Sequence, residues 1–529
     1  MKNKIKIPFD FYASLKIEGW RENYQPLVCE RKIDEFFNQQ DVAFSQYIST
    51  LPDGEEKDVF LLAMLDLKRE INYYIVAIFA ISKARSTGVE IDSTVSEINY
   101  LLTGDVSFLA NETHKILSEN KSNFSFIRRI VRTISWTSPL KIFKTLLFPE
   151  IIALGYNSTS IQYVKETKKT VYFYQAAALL KKIKSKTFSK TSPDYLNRLS
   201  QDFYCLLTNK QTIEKEDEDR LKFLLFRKIS RHIIHCYSDL QSCYRYPRLP
   251  KKIWIGTGES YNNRLLAISV RRNGGKVTGF AHATGAALTA SYHRLYQGEF
   301  AVVNNFIEIS DFAKDIYFAD IIRAFPSLES RLKIFTLSEN IRYVHNQKNS
   351  SRSSKTRPVV MYLSTMLNPL TRGECFSENM QYIDWQLRLT DMLDKMNIDL
   401  ICQPHPEGVF SDKRLTHPLL KKYQNKQLKF EDHFCKADVF LIDFLHSTTT
   451  GYLLTSNKPI VRLAVIDSSN FNGVNENIEL LLNKRCRKVD VSFSDNCKPN
   501  VDFNALENAL TGNWNKDVDS SNFQRIFNG

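Results

Sequence analysis

The sequence has no long apolar run, and this absence excludes a class of protein. A helix that spans a bilayer needs about 20 apolar residues, whereas the longest apolar run, residues 73–81, is far shorter. Pro8 and Asp10 interrupt the basic N-terminus before the apolar core of a signal peptide can develop. We therefore expect a cytoplasmic protein without a membrane-spanning helix.

Paired cysteines are missing as well. The nine cysteines are scattered along the chain without a Cys-x-x-Cys motif. An odd number of scattered thiols, in a chain without an export signal, indicates reduced cysteines rather than a disulfide framework. The group His232, His235, Cys236 and Cys243 matches no zinc-site spacing. We expect neither a metal ion nor a cofactor.

Acidic residues are fewer than basic ones, 58 against 72, and the formal net charge is +14. This charge favours an anionic partner, which could be a nucleic acid, an anionic membrane, or a phosphorylated or acidic sugar. The sequence contains neither a zinc finger nor an aromatic strand of the RNA-recognition type, so we do not expect a nucleic acid. The remaining candidates are an anionic substrate and a membrane surface.

Residues 124–156 combine cations with aromatic and aliphatic side chains, and no acidic residue precedes Glu150 there. This composition favours a segment that lies peripherally on the inner face of an anionic membrane. The alternative is a pair of core helices broken at Pro139, with solvated or paired cations. The cations are Arg128, Arg129, Arg132, Lys141 and Lys144.

The apolar spacing of residues 1–245 is mainly helical, with helices predicted over 60–83 and 171–185. The acidic run 214–219 contains an Asp-x-Asp, a pattern that binds metal ions in some enzymes. Because no strand precedes this run, we interpret it as a solvated helix start.

Strands and helices begin to alternate after Pro247. A strand, a helix and a second strand follow one another, which is the order of a parallel βαβ unit. The polar, serine-rich segment 346–356 is predicted to be a linker. The predicted elements before it are a strand over 252–256, a helix over 261–272 and strands over 276–280, 299–303 and 332–337.

A second alternating unit follows the linker. Together the patterns predict an α/β protein with a mainly helical portion (1–245) and two Rossmann-like domains (246–345 and 357–529). Ligands of such sheets bind at the carboxyl ends of the strands, here in the cleft between the domains. The predicted elements of the second unit are strands over 358–363, 398–402, 439–443 and 459–463 and helices over 378–396 and 448–455.

His405 lies in the sequence Gln403-Pro404-His405-Pro406, directly after a predicted strand. The flanking prolines fix the backbone on both sides. An imidazole fixed in this way can stabilise the charge that develops on a leaving phosphate. The alternative is a surface-loop histidine between turn prolines.

Four hydroxyl-bearing residues, Ser447, Thr448, Thr449 and Thr450, open the helix predicted over 448–455. Their side chains and the backbone N–H groups of a helix start form an anion site that suits a phosphate or a carboxylate. The alternative is simple helix capping, for which one hydroxyl suffices.

The order of a His-Pro pair, an apolar strand ending in an aspartate, a hydroxyl cluster, a helix and the sequence Asn-Lys-Pro-Ile (457–460) resembles two groups of bacterial transferases. One group is the CDP-glycerol glycerophosphotransferases of teichoic acid synthesis. The other comprises capsule and lipopolysaccharide transferases that use CMP-linked sugar acids such as Kdo or sialic acid. Both groups have the GT-B fold. His446 and the following threonines stand where the polyol-phosphate group has a Tyr-Ser-Ser run, which counts against that group.

The resemblance extends from near Lys252 to near Leu510. It implies a site that holds the nucleotide phosphate of the donor. The loop after the strand over 358–363 contributes to this site in the resembled families, although turn chemistry around Asn368-Pro369 is an alternative explanation for its composition. The implied donor-binding residues are Ser364, Thr365, Arg372, Gln403, His405, Pro406, Ser447, Thr448 and Thr449.

The sequence Gly-Thr-Gly-Glu (256–259) follows the first predicted strand of the first domain, and His282 follows the second. The third glycine of a dinucleotide fingerprint is missing, so the glycines are better suited to a tight turn beside a ligand. The resemblance implies an acceptor-binding stretch, in which Glu259 or His282 removes the proton of the acceptor hydroxyl and Arg264 contacts the acceptor. The alternatives are a helix-start carboxylate and a loop histidine.

These features predict an inverting glycosyltransferase that transfers a CMP-activated acidic sugar onto a glycan or lipid-linked glycan of a capsule or lipopolysaccharide. The alternatives are a CDP-polyol phosphotransferase of the teichoic-acid type, a nucleotide-sugar epimerase of the same shape, and a non-catalytic capsule-assembly protein.

Overall fold

The structure is a computed structural model of the chain. The predicted linker 346–356, residues 124–149 of the predicted membrane segment, and the side chains of Arg372, Pro406 and Thr448 lie outside the described residues, so these assignments stay predictions. The structure describes residues 5–106, 109, 150–167, 169–183, 193–208, 215–282, 288, 292–338, 357–367, 376, 378–405, 408–411, 415–423, 430, 434–445, 447–465, 474, 476–514 and 519–528.

Helices dominate the N-terminal part of the chain. The elements are β1 (Lys6–Pro8), α1 (Phe11–Ser14), α2 (Trp20–Asn23), α3 (Glu30–Thr50), α4 (Glu55–Thr87), β2 (Glu90–Asp92) and α5 (Ser96–Thr103). The helix predicted over 60–83 is confirmed within α4, whose apolar middle is buried because other helices surround it. Among the described helices, none is long and apolar enough to cross a bilayer.

The first sheet has six parallel strands in the order β4-β3-β5-β6-β7-β8. Its region comprises β3 (Ile151–Leu154), α6 (Ser158–Glu166), β4 (Val171–Tyr174), α7 (Ala176–Ile183), α8 (Tyr195–Thr208), α9 (Lys215–Tyr244), β5 (Lys252–Ile255), α10 (Tyr261–Arg272), β6 (Lys276–Phe280), α11 (Tyr292–Leu295), a π-helix (Tyr296–Phe300), β7 (Asn305–Glu308), α12 (Asp311–Ala324) and β8 (Lys333–Thr336). The predicted βαβ unit over 252–280 is confirmed.

Two predictions for this region are wrong. The helix predicted over 171–185 is a strand followed by the short helix α7, because Val171 and Phe173 alternate with less buried neighbours in the manner of a strand. The strand predicted over 299–303 is the end of the π-helix and a turn, since a short apolar run is buried equally well in either structure. The sheet also takes β3 and β4 from the portion predicted to be mainly helical.

The second sheet has six strands in the order β10-β9-β11-β12-β13-β14, and β14 alone runs antiparallel to its neighbour. Its region comprises β9 (Val359–Leu363), α13 (Asn379–Leu393), β10 (Asp399–Gln403), α14 (Pro418–Lys422), β11 (Val439–Ile442), α15 (Thr448–Thr455), β12 (Ile460–Val465), α16 (Glu476–Arg485), β13 (Arg487–Phe493), β14 (Pro499–Val501), α17 (Phe503–Thr511) and α18 (Ser521–Asn528). Every strand and helix predicted for this half is confirmed, with ends shifted by a few residues. The chain is therefore a mixed α/β protein with a Rossmann-like layout in both sheets.

The N-terminal segment 5–29, which we call the N-terminal arm, packs against the second half. The guanidinium of Arg21 donates to Asp391 at 2.7 Å, and the hydroxyl of Tyr24 donates to Glu378 at 3.1 Å.

The last helix, α18, follows the second half in the sequence and forms hydrogen bonds with both halves. The hydroxyl of Ser310, at the start of α12, donates to the carbonyl of Ile526 at 2.7 Å, and the amide of Gln524 donates to the carbonyl of Thr455 at 3.2 Å. Segments near both ends of the chain therefore connect the two halves.

Candidate functional site

Three neighbouring strands of the second sheet end at the same level. Leu363 of β9 pairs with Gln403 of β10 on one side and with Ile442 of β11 on the other. Neighbouring strands lie about 4.8 Å apart, so the loops that follow them leave the sheet side by side. The predicted donor-binding residues in these loops are Ser364, Thr365, His405, Ser447 and Thr449.

Asp443, the residue after β11, lies beneath these loops and is linked by hydrogen bonds to the end of β9 and the loop that follows it. Its buried carboxyl group accepts hydrogen bonds from the hydroxyl of Tyr362 at 2.5 Å and that of Tyr382 at 3.1 Å. The Tyr382 hydroxyl in turn accepts from the backbone N–H of Thr365 at 2.9 Å. Burial raises the pKa of Asp443 to about 6, and the two tyrosine hydrogen bonds act in the opposite direction. The sequence motif contains this aspartate, but its role as an anchor depends on tyrosines that the motif does not include.

His405 is half-buried and lies two residues beyond β10. On the adjacent strand end, the buried hydroxyl oxygen of Ser364 has no hydrogen-bond partner among the described residues.

The start of α15 is capped as a helix usually is. The Ser447 hydroxyl accepts from the N–H of Thr450 at 3.2 Å, and the Thr450 hydroxyl donates to the carbonyl of Phe444 at 3.3 Å. These contacts show that Ser447 and Thr450 stabilise the helix start, as expected if the hydroxyl cluster serves in helix capping. Thr449 is half-buried at the same helix start. The anion site at this helix start stays a prediction.

The first sheet presents a corresponding edge. Ile255 of β5 pairs with Leu154 of β3 and Gly279 of β6. The side-chain amide of Asn157 donates to the carbonyls of Gly256 at 3.0 Å and Ala281 at 3.1 Å, so it joins the loops after three strands. No pattern in the sequence identifies this asparagine, because its partners are about one hundred residues away along the chain.

Two glutamates lie together at this edge. Glu259 is half-exposed, and the Arg69 guanidinium donates to its carboxylate at 2.5 Å. Beneath it, the Glu299 carboxyl accepts from the hydroxyl of Thr257 and the N–H of Gly258, both at 2.8 Å. Burial, and then the charge of Glu259, raise the pKa of Glu299 to about 8. Near neutral pH one carboxyl is therefore protonated beside a second carboxyl, an arrangement that suits acid–base chemistry.

Glycine is required where this turn meets the π-helix. A methyl group on Gly258 would lie 2.4 Å from the carbonyl oxygen of Gly298. A methyl group on Gly298 would lie 3.3 Å from a carboxylate oxygen of Glu259. Gly258 of the Gly-Thr-Gly-Glu sequence thus allows a close approach of the turn to the π-helix, and π-helices often occur at functional sites. The predicted ligand beside this turn stays a prediction. The sequence analysis missed Glu299 because it placed this residue in a strand.

Arg264 is placed differently from its predicted role. Its side chain is 1% exposed. The guanidinium donates to the carbonyls of Gly258 at 3.0 Å, Gln297 at 2.7 Å and Gly298 at 3.2 Å. These hydrogen bonds hold the Gly258 turn against the π-helix. Because the Arg264 side chain is buried, the structure gives no support to its predicted contact with the acceptor. His282, by contrast, is exposed two residues beyond β6.

The comparisons with known proteins add no assignment. No protein-family model and no curated protein matches this chain. Its function is therefore inferred from the residues and geometry of the two sheet edges.

Helix α4 brings the two edges near each other. Arg69 on this helix contacts Glu259 at the edge of the first sheet. Tyr73, about 6 Å further along the same helix, lines a small cavity with Leu367 and Val409, which belong to the loops after β9 and β10. The carboxyl ends of both sheets therefore reach one segment of α4. The cleft expected between the two domains stays a prediction.

Helix α9 contains the two other clusters noted in the sequence. The acidic run does begin a helix, but Asp217 is buried and accepts from Arg85 at 2.7 Å instead of being solvated. His235 lies 3.3 Å from Asp239 and stacks on the ring of Tyr261. Within the described part of the chain, no three histidine, cysteine, aspartate or glutamate side chains are grouped as metal ligands.

Proposed function

We propose that the chain is a glycosyltransferase of the GT-B type, in which the second sheet binds a nucleotide-activated sugar and the first sheet binds the acceptor. The observation that carries this proposal is the alignment of three strand ends at the second sheet. Because these ends are aligned, the loops that contain Thr365, His405 and Ser447 leave the sheet at one edge. Asp443 lies beneath these loops, and Tyr382 links it to the Thr365 backbone.

The donor's phosphate would lie between His405 and the start of α15. An imidazole on one side and a helix N-terminus on the other both favour negative charge. The hydroxyl of Ser364, which lacks a partner among the described residues, supplies a further donor. Asp443 would not contact the donor. Its role would be indirect, because it holds Tyr382, whose hydroxyl positions the Thr365 backbone.

A CMP-linked acidic sugar is the donor that we propose, and a capsule or lipopolysaccharide glycan is the acceptor. The net charge of +14 favours an anionic substrate. A site rich in hydroxyl groups can bind a sugar carboxylate as well as a phosphate. The sequence resemblance to transferases of CMP-linked sugar acids supports the same choice.

Glu259 is the base that we propose at the opposite edge. It would exchange its ion pair with Arg69 for the acceptor hydroxyl, since such a half-exposed pair contributes about 0–1 kcal/mol. The acceptor oxygen would form a bond to the anomeric carbon as the bond to the CMP phosphate breaks. The hydroxyl proton would pass to Glu259, and His405 would stabilise the charge on the departing phosphate. His282 is the second candidate for the base.

Thermal shifts of the purified full chain with CMP, CDP and UDP test the proposal. A ligand that binds only the folded state stabilises it by about 2.7 kcal/mol at a hundredfold excess over Kd. We expect CMP to raise the melting temperature most, followed by transfer of a CMP-linked sugar acid in an activity assay. A larger shift with CDP would favour the polyol phosphotransferase, and no shift with any nucleotide would contradict a donor site.

A further inference from the structure

Two cysteines that are far apart in the sequence meet where the N-terminal arm contacts the second half. Cys29 is the last residue of the arm and the N-cap of α3. Cys497 lies in the turn between β13 and β14. Both residues are half-buried, and the Cys29 thiol is near enough to Cys497 to raise the pKa of the Cys497 thiol, to which burial contributes most. The two cysteines thus belong to different secondary-structure elements, in different halves of the chain.

The backbone at Cys497 gives an independent reason to examine this pair. Cys497 has φ 58°, and within the described residues it is the one residue other than glycine with a positive φ. Glycine or asparagine adopts this left-handed conformation with much less strain. The turn is closed by the N–H of Cys497, which donates to the carbonyl of Ser494 at 2.8 Å, a bond that any of these residues could form. The turn geometry therefore does not explain why a cysteine occupies this position.

Both cysteines are held against the start of α13. The hydroxyl of Tyr24, five residues before Cys29, donates to Glu378, the N-cap of α13. The side-chain amide of Gln381, in the first turn of α13, donates to the carbonyl of Cys497 at 2.9 Å. Separate hydrogen bonds therefore hold the end of the arm and the turn of Cys497 at the same helix end.

We propose that Cys29 and Cys497 form a reversible disulfide that locks the N-terminal arm onto the second half of the protein. The co-reactant is a small disulfide such as oxidised glutathione. The thiolate of one cysteine attacks a sulfur of this disulfide and displaces one glutathione thiol. The thiolate of the second cysteine then attacks the mixed disulfide and displaces the other. The protein pair thereby loses two protons and two electrons, and the reagent is reduced to two thiols.

The disulfide would close a loop that contains most of the chain, because it joins Cys29 to Cys497. A disulfide limits the conformations of the unfolded chain, and the effect increases with the length of the enclosed loop. It would also prevent the arm from separating from α13, which limits relative movement of the two halves. The inference concerns the covalent state of the chain and does not depend on the proposed function.

The test is oxidation of the full chain with oxidised glutathione at low micromolar protein concentration, followed by non-reducing proteolysis and mass spectrometry. We expect a peptide that links Cys29 to Cys497, its loss after treatment with dithiothreitol, and a higher melting temperature of the oxidised protein.

Three variants serve as controls. Cys29→Ser and Cys497→Gly should both abolish the linked peptide and the gain in melting temperature, and Cys497→Gly should fold well because glycine relieves the left-handed strain. Cys205→Ser removes an exposed cysteine on α8 and should leave the linked peptide unchanged. Wild-type protein that yields no Cys29–Cys497 peptide, or in which both cysteines are glutathionylated as separate thiols, would overturn the proposal.

Discussion

The carboxyl edges of the two sheets have the same backbone plan but different chemistry. At the first edge, Glu259 lies over Glu299, and Arg69 provides the opposite charge. At the second edge, Asp443 is buried beneath neutral hydroxyl groups and held by two tyrosines. The first edge therefore holds an exposed carboxyl group over a buried one, and the second holds hydroxyl groups and an imidazole.

In the proposed transferase, this difference would separate two tasks. A pair of carboxyls in different protonation states can accept a proton from an acceptor hydroxyl. An edge of neutral donors with its carboxyl withdrawn below can bind an anion without repelling it. Variants at the first edge should therefore change the rate of transfer, and variants at the second edge should also change donor binding.

The largest effect is expected from Glu259→Gln. If Glu259 is the base, the variant should lose about 10²–10⁴ in kcat with little change in donor affinity, because the base acts on the acceptor in the transition state. Steady-state kinetics with varied donor concentration measures both quantities. His282→Ala is the matched variant and should retain most of its kcat. If both variants keep the parental kcat, the first edge contributes no base.

His405→Ala should reduce turnover by about 10²–10³, as expected for loss of one preorganised donor, and should leave the melting temperature nearly unchanged because His405 is half-buried. His417 provides a contrast in the same domain. It is buried, and its Nδ1 accepts from the N–H of Leu419 at 3.1 Å, so His417→Ala should lower stability instead. A His405→Ala variant that transfers sugar at the parental rate would remove this residue from the donor site.

Asp443→Asn should destabilise the second half by about 1–3 kcal/mol, because the amide puts an NH₂ donor in place of one of the two buried carboxyl oxygens that accept from the tyrosine hydroxyls. Chemical denaturation measures the change. Tyr362→Phe removes one of the two hydrogen bonds and should have a smaller effect. Equal stability of Asp443→Asn and the wild type would show that the carboxyl is not an anchor.

A further effect is expected in the pH dependence of stability. The pKa of Glu299 is raised from 4.5 to about 8, so between these values the folded state keeps a proton that the unfolded state has lost. Stability should therefore fall as the pH rises through this range. Glu299→Gln should flatten the fall at its upper end. Burial also raises the pKa of Glu308 and of Glu378 to about 7 and that of Asp443 to about 6, so these groups still contribute. Melting curves at several pH values would show an unchanged slope if Glu299 is ionised throughout.

The sequence predicts the second sheet well because its strands are buried, nearly continuous apolar runs bounded by turn residues. The same patterns place His405 and Ser447 at strand ends. The first sheet is harder to predict because β3 and β4 have four residues each and lie among helices. Such short runs carry too little periodicity to distinguish a strand from a helix.

The contacts at the candidate site could not be predicted from local sequence. Arg264 has the position of a ligand-binding residue near a glycine turn, yet its Nε donates to the carbonyl of Leu61 on α4, far away in the chain. Glu299 becomes a partner of Glu259 only because the π-helix packs against the Gly258 turn. Each of these roles depends on tertiary packing between segments that no short motif connects.

Calorimetric titration of CMP into the wild type, His405→Ala and Glu259→Gln tests most directly whether the two edges divide donor binding and proton transfer. We predict that Glu259→Gln binds CMP with the wild-type Kd, whereas His405→Ala binds at least about tenfold more weakly, a loss of about 1.4 kcal/mol. Equal affinity in all three proteins, or weaker binding by Glu259→Gln alone, would contradict the assignment of the donor to the second sheet.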